Sequence, residues 1–552
     1  MARVYDEFLR QRITRRRALA GAGTAALGAA GIAIVGCDGG GGDGGATPGA
    51  SPGVDEGTPR PGGILHLRQT VGYPNFNPFG PGIAALAQGL FTGFTLFDHL
   101  WYVPTDTGEV ELFLATDVET VDAQTINVTM GESVFHDIPP VNGRDVRSTD
   151  LKASVEKFRE QEPFGFNWLR EVFDRIETPT DLTLTYHQNR PWAWFFTSSN
   201  AGSPWMSSIL PEEILDDQDQ LDSTPIGSGK WVLDGHDAGT NVRLRRFPNW
   251  REPGLPYLDG VDFVFATDDT LAQAAFAAKD LDSIEGLNRI ERDSLVSRFG
   301  DQIGISSDLS RAYRTLMLKY EPPFTDPRVR HAISLALDRD EIRQVLNLGD
   351  GELCGPLPPA HERFVLEPDD PDLLEYFRHD PDDARTMLED AGFDFDQEIV
   401  LKYSTLGDSP QLAEVIATQL REVGLNIVLP GGEDIITWLA NTLSNGNFQM
   451  TSFTHLPYED PSLPLSFYVA PNQMDFEDPE VEAAFRAAAE VLDEEERIEA
   501  TKEAQRVIIR AWGPMLNLYS PLSYTARWDY YKGVVTGRGS FGLFNSQAWL
   551  DK

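Results

Sequence analysis

The chain has 552 residues, 41% of them hydrophobic and 10% aromatic, which is a globular composition on a length too great for one hydrophobic core. Its 86 acidic residues outweigh 46 basic ones and leave a formal net charge of −40, which excludes nucleic-acid or anionic-lipid recognition through a basic surface and reads as the solvated coat of an exported protein. Two cysteines, Cys37 and Cys354, cannot make a disulfide framework.

Taken from its start, the chain opens with an address. Thr14-Arg15-Arg16-Arg17 precedes an uncharged Ala/Gly-rich run from Ala18 to Val35, the pattern of an export signal. The pair Arg15 and Arg16 is similar to a twin-arginine signal, and Ile34-Val35-Gly36-Cys37 is similar to a bacterial lipobox, in which Cys37 becomes the lipidated first residue. A membrane-spanning anchor is the rival reading of that run. Its Gly and Ala content, and the polar glycines after Cys37, favour the lipoprotein, which leaves Cys354 as a buried free thiol. Residues 37–63 carry no apolar periodicity and read as a flexible Gly/Pro/Asp tether, with a reach of roughly 25–30 Å.

The body then begins with a strand at Ile64–Arg68 and a loop dense in turn-formers and aromatics, Gly72 to Phe79. Val134-Phe135-His136-Asp137 and Pro140 to Val146 precede a helix, Ser148–Phe158, with Leu151, Val155 and Phe158 on its apolar face. One His beside one Asp falls short of the three or four ligands a metal needs, so His136-Asp137 reads as a structural turn. Pro225-Ile226-Gly227-Ser228-Gly229-Lys230-Trp231 is no phosphate loop, because Trp231 stands where Ser or Thr should hold magnesium.

Glu321–Ile342 holds two helix starts in succession. Asp326 caps the first, Pro327 fits its first position, and Val329, Ile333, Ala336 and Leu337 make its apolar stripe. Asp338 and Glu341 stand as a capping box for the second, which Gly349 stops. Further on come a helix at Pro381–Phe393, a strand at Val400–Tyr403, a helix at Gln411–Val423 and a strand at Leu425–Leu429. That order with short joints is a βαβ unit on a parallel sheet. A strand at Phe448–Phe453, one long helix from Pro479 to Ala511 and a strand at Met515–Tyr519 complete the chain.

These segments, in this order, resemble the family 5 solute-binding proteins of ABC importers, the peptide/nickel-binding group. The likeness lies in "DPRVRHAISLALDRDEI" at 326–342, "FHD" with the following Pro-rich turn at 135–146, "RPWAWF" at 190–195, "PIGSGKW" at 225–231, "PYLDGVDF" at 256–263 and "LEDAGF" at 388–393, and it covers nearly all of residues 60–550. The resemblance implies a two-lobed α/β fold of the periplasmic-binding-protein type II class. Lobe 1 would comprise residues 60–310 plus 513–552 with a subdomain near 105–224, and lobe 2 residues 311–512, with hinges near Ser306–Thr315 and Gly513–Ser520. It implies a monomer without cofactor, metal or catalytic residue, lipid-anchored at the outer face of the cytoplasmic membrane. Such a protein captures a peptide or other small solute between its lobes and hands it to an ABC permease and its ATPase. Candidate cleft contacts are Tyr73, Asn75, Phe76, Trp205, His455, Tyr458 and Asp460.

In peptide-binding members of that family the second-lobe strand ends in D-x-x-(D/E)-P, the first Asp holding the peptide's ammonium. Alignment on Asp460-Pro461 puts Pro457 there, and Glu459 or Asp460 is the substitute carboxylate. A charge-assisted bond of this kind contributes roughly 1.5–3 kcal/mol, so its loss opens the ligand to oligosaccharides, modified peptides, opines and metal chelates. The rival classes are a lipoprotein of the same fold serving as sensor or chaperone, and a hydrolase. No G-x-S-x-G or H-E-x-x-H supports the latter.

Overall fold

The computed structural model describes residues 57–70, 75–79, 95–102, 110–161, 168–198, 208–237, 239–266, 268–458, 461–534 and 546–552. Arg15, Arg16, Cys37, Tyr73, Trp205 and Asp460 lie outside the described residues. Among the described residues no helix is long and apolar enough to cross a membrane.

Two sheets carry the two lobes. The first has seven strands in the order Ile303–Leu309, Leu522–Trp528, Ser283–Leu287, Ile64–Gln69, Gly260–Phe265, Asn241–Arg246 and Trp231–Asp237. The second has six: Glu352–Leu353, Met515–Ser520, Arg314–Leu318, Met450–Thr454, Glu398–Lys402 and Asn426–Val428. A four-stranded antiparallel sheet (Ala115–Asp122, Thr125–Met130, Thr183–Gln188, Phe173–Thr180) forms the subdomain inserted in the first lobe. The expected βαβ unit is present: Glu398–Lys402 and Asn426–Val428 pair in parallel across the helix Ser409–Glu422.

The chain passes between the sheets twice, through residues 310–313 and again at Pro521, where Ser310 N donates to Pro521 O at 2.9 Å. Met515–Ser520, read in the sequence as the strand returning to the first lobe, instead pairs with Arg314–Leu318 in the second sheet. Its run MLNLYS is buried on both faces and cannot mark which of two sheets takes it. The return begins at Leu522.

Two other expectations are corrected. The single long helix is two, Pro479–Glu490 and Glu494–Arg510, because Asp493 accepts from Glu496 N and starts a new helix whose acidic first turn suits its positive end. The tether stops short of residue 63: Gly62 N donates to Tyr257 O at 2.7 Å, and Arg60 pairs with Asp551 at 2.5 Å. Backbone bonds and one ion pair dock the segment where apolar side chains are missing.

The paired helix starts form as Pro327–Ala336 and Arg339–Asn347. Asp326 accepts from Arg328 N, and Asp338 accepts from Glu341 N. The box is only half made, however. Gln419, from the helix Ser409–Glu422, accepts from Asp338 N through its Oε1 and donates to Glu341 through its Nε2, so a long-range amide does what the local carboxylate was expected to do. Arg330 is 3% exposed and spans four carbonyls, those of Phe324, Thr325, Ala511 and Trp512. It satisfies orphan carbonyls at the end of the Glu494–Arg510 helix and fixes that helix to the start of the second lobe. Arg339 reaches Asn517 O and Ser334 O in the same way.

The expected structural turn at His136 also has a partner far along the chain. Gly227 N donates to His136 Nδ1, so Nε2 carries the proton and donates to Gly229 O at 3.1 Å. Burial drives this imidazole's pKa down to about 4 and keeps it neutral. Gly227 is obligatory here, since a Cβ would stand 1.9 Å from Leu96 O.

Candidate functional site

Strand direction locates the cleft. In the first sheet Ile64–Gln69 runs parallel to Gly260–Phe265 and to Ser283–Leu287. Both Ser283–Leu287 and Ile303–Leu309 are antiparallel to Leu522–Trp528, so these four strands share one direction, as does Trp231–Asp237, and Ile303–Leu309 leads into the crossover. In the second sheet Asn426–Val428, Glu398–Lys402 and Met450–Thr454 are mutually parallel, and Met515–Ser520, ending at the other crossover, runs with them. Both sheets therefore turn their carboxyl edges toward the crossovers and toward each other. Crevices at carboxyl edges are where open α/β sheets take ligands.

On the second lobe that edge is aromatic and short of hydrogen-bond partners. Thr454 pairs with Arg314, which puts His455 beside Tyr313, the last residue of the crossover; His455 N donates to Tyr313 O at 2.9 Å. Their rings stack with centroids 4.3 Å apart and planes 10° from parallel. Phe453 and Phe467 close on the imidazole at 4.6 and 4.8 Å, and Tyr458 at 6.2 Å. His455 is 1% exposed, yet neither ring nitrogen has a hydrogen-bond partner among the described residues, and neither has the Tyr313 hydroxyl. Burial pushes the His455 pKa down to about 3, and it drives both tyrosine hydroxyls well above their usual range. The site is thus lined by neutral groups able to donate and accept.

Beside them Arg314 Nη2 bonds Asp408 Oδ2 at 2.7 Å, a pair that cancels its own charge. His361 is 7% exposed, with Nε2 unpartnered among the described residues, and the Arg311 guanidinium adds to the desolvation that keeps it neutral. Its neighbour Glu362 holds φ at +45°, which costs on the order of 1–3 kcal/mol for a side-chain-bearing residue.

Of the expected contacts, His455 and Tyr458 are therefore brought together. Phe76 belongs to the first lobe's core: it is 1% exposed, and its ring meets His236 at 4.9 Å. A bulky aromatic in a turn-rich loop is as well suited to lidding a core as to touching a solute, and nothing in the local sequence separates the two. Asn75 is partly exposed and turns its Oδ1 onto Asn77 N at 3.3 Å. Sequence reading missed Tyr313, which strand pairing sets beside His455, and Arg314, whose ion-pair partner Asp408 lies 94 residues further on. Among the described residues no group of three or more His, Cys, Asp or Glu side chains could hold a metal ion.

Comparison with known proteins agrees with this architecture. The family model described as bacterial extracellular solute-binding proteins, family 5, matches residues 109–475. A di/tripeptide-binding protein 2 of Pseudomonas aeruginosa is 24% identical over 512 residues, covering 85% of this chain and 89% of that protein. The fold is similar to that of the Helicobacter pylori ABC-transporter-associated periplasmic binding protein DppA, solved with the peptide STSA (TM-score 0.76, 20% identity, 89% of this chain and 99% of that one). It is also similar to that of the binding protein AgaA of A. tumefaciens R10, solved with agropinic acid (TM-score 0.75, 20% identity, the same coverage).

Proposed function

The chain belongs to the bacterial extracellular solute-binding proteins of family 5, and from that premise we propose that it captures a short peptide between its lobes and delivers it to an ABC permease. The observation that carries this reading is the wall at His455 and Tyr313, where buried polar atoms without partners among the described residues line the carboxyl edge of the second sheet. A peptide offers amide donors and acceptors to such a wall and side chains to the rings of Phe453, Phe467 and Tyr458.

Closure follows from linkage. A solute touching both lobes binds the closed form better and shifts the population toward it, and the crossovers at 310–313 and Pro521 are where the backbone turns. Cys37, as a lipidated residue, would hold the body at the outer membrane face, with the stretch up to the docked Arg60 as its leash. The reading also covers a modified peptide or opine, for which the neutral wall is equally suited.

A thermal-shift screen of the full chain against di- to pentapeptides, with opines and oligosaccharides as further arms, tests the solute class. Stabilisation by peptides supports the proposal. Stabilisation by oligosaccharides alone would replace it.

A further inference from the structure

The inserted subdomain grips the second lobe at a place far from the crossovers in sequence. Trp192 and Trp194, just beyond the strand Thr183–Gln188, pack on Phe485 of the helix Pro479–Glu490, with ring centroids 6.1 and 6.4 Å away. All three are at most 5% exposed. Between them Ala193 N donates to Ala489 O at 2.7 Å, filling one of the carbonyls that a helix end leaves unpaired. Arg190 reaches Glu490 at 3.5 Å while its other arm bonds Glu171 at 2.8 Å. Through these rings one hydrophobic cluster runs from the subdomain into the second lobe.

The subdomain is in turn tied to the first lobe, by His136 N on Gly227 O at 2.8 Å and by the His136 imidazole on Gly227 and Gly229. Any rotation of the lobes about residues 310–313 and Pro521 must therefore slide or part the seam at Ala193. A cavity of ≈ 40 Å³ at the same seam, lined by Glu482 and Arg486 among others, has room for a few waters and none for a solute.

We propose that Arg190–Trp194 and Phe485–Glu490 form a closure latch, a solute-independent contact that biases the lobes toward the closed state. This rests on the hinge reading above. A latch raises the fraction of binding-competent protein, so it sharpens the apparent affinity for every solute by the same factor and leaves the choice among solutes untouched.

The test uses the full chain without added solute. Hydrogen exchange of the segments 190–196 and 485–490, together with small-angle scattering, is measured for wild type, for Phe485→Ala/Glu490→Ala and, from the other side of the seam, for Arg190→Ala. The expected result is at least tenfold faster exchange at the seam in the double variant, a larger radius of gyration, and unchanged exchange in the strands of both sheets. Arg190→Ala should give the same changes in smaller measure. Wild-type exchange at the seam as fast as the variant's would overturn the latch and leave the hinge intact. A seam that opens with no change in scattering would overturn the latch and the hinge together.

Discussion

The His455 imidazole lies face to face with the Tyr313 phenol, 4.3 Å between centroids, although 142 positions separate them in the chain. One follows the end of a second-lobe strand and the other closes a crossover between the sheets, so on the proposed reading the pair joins the solute-binding wall to the hinge. On that reading a solute bonded to either ring would act directly on the hinge.

Replacing His455 by Ala should weaken solute binding and also lower the melting temperature, because the buried ring packs on Tyr313, Phe453 and Phe467. A neutral hydrogen bond contributes about 0.5–1.5 kcal/mol, or roughly 2- to 13-fold in Kd. Tyr313→Phe should act in the same direction. Calorimetric titration with a peptide found in the screen reads both. A variant with unchanged Kd would remove His455 from the site.

Arg330→Lys should destabilise the chain by about 3 kcal/mol, because an ammonium cannot span the carbonyls of Phe324, Thr325, Ala511 and Trp512, and each orphaned buried carbonyl costs roughly 1–3 kcal/mol. Denaturant unfolding of wild type and variant gives the difference. A change within 0.5 kcal/mol, the ordinary range for a surface substitution, would refute the account of how the last helix is held.

Stability should fall as the solution is acidified from pH 6.5 to about pH 4. His136 and His455 have folded-state pKa values lowered to about 4 and about 3, and that of His361 lies well below 6.5, so each is neutral when folded and takes up a proton on unfolding. A depressed histidine contributes stability that is full above its unfolded pKa and is lost as pH drops below it. Each contributes a slope of about 1.4 kcal/mol per pH unit in that window. Replacing His136 with Gln should remove about one proton from the slope; an unchanged slope would show that His136 does not titrate on unfolding.

Gly227→Ala should abolish soluble expression, since the new Cβ meets backbone oxygen and not a side chain that could move aside. Recovery of a folded protein with native melting behaviour would contradict the packing described for that turn.

Much of the fold was legible where the signal is local. Asp326-Pro327 and Asp338 announce their helices because caps act within three residues, and the alternation at Ile64–Arg68 announces a strand for the same reason. What escaped is long-range: Gln419 replacing Glu341 in the capping box, Arg330 gathering carbonyls 181 and 182 residues away, and Trp194 meeting Phe485. The same division runs through the site. His455 and Tyr458 share one loop and could be read together, whereas Tyr313 enters only through the pairing of Arg314 with Thr454.

The most direct test of the two-lobe capture account is small-angle scattering of the full chain, alone and saturated with a peptide that stabilises it. The account predicts a smaller radius of gyration and a shorter maximum dimension in the complex. An unchanged profile at saturation would contradict closure around the crossovers at 310–313 and Pro521.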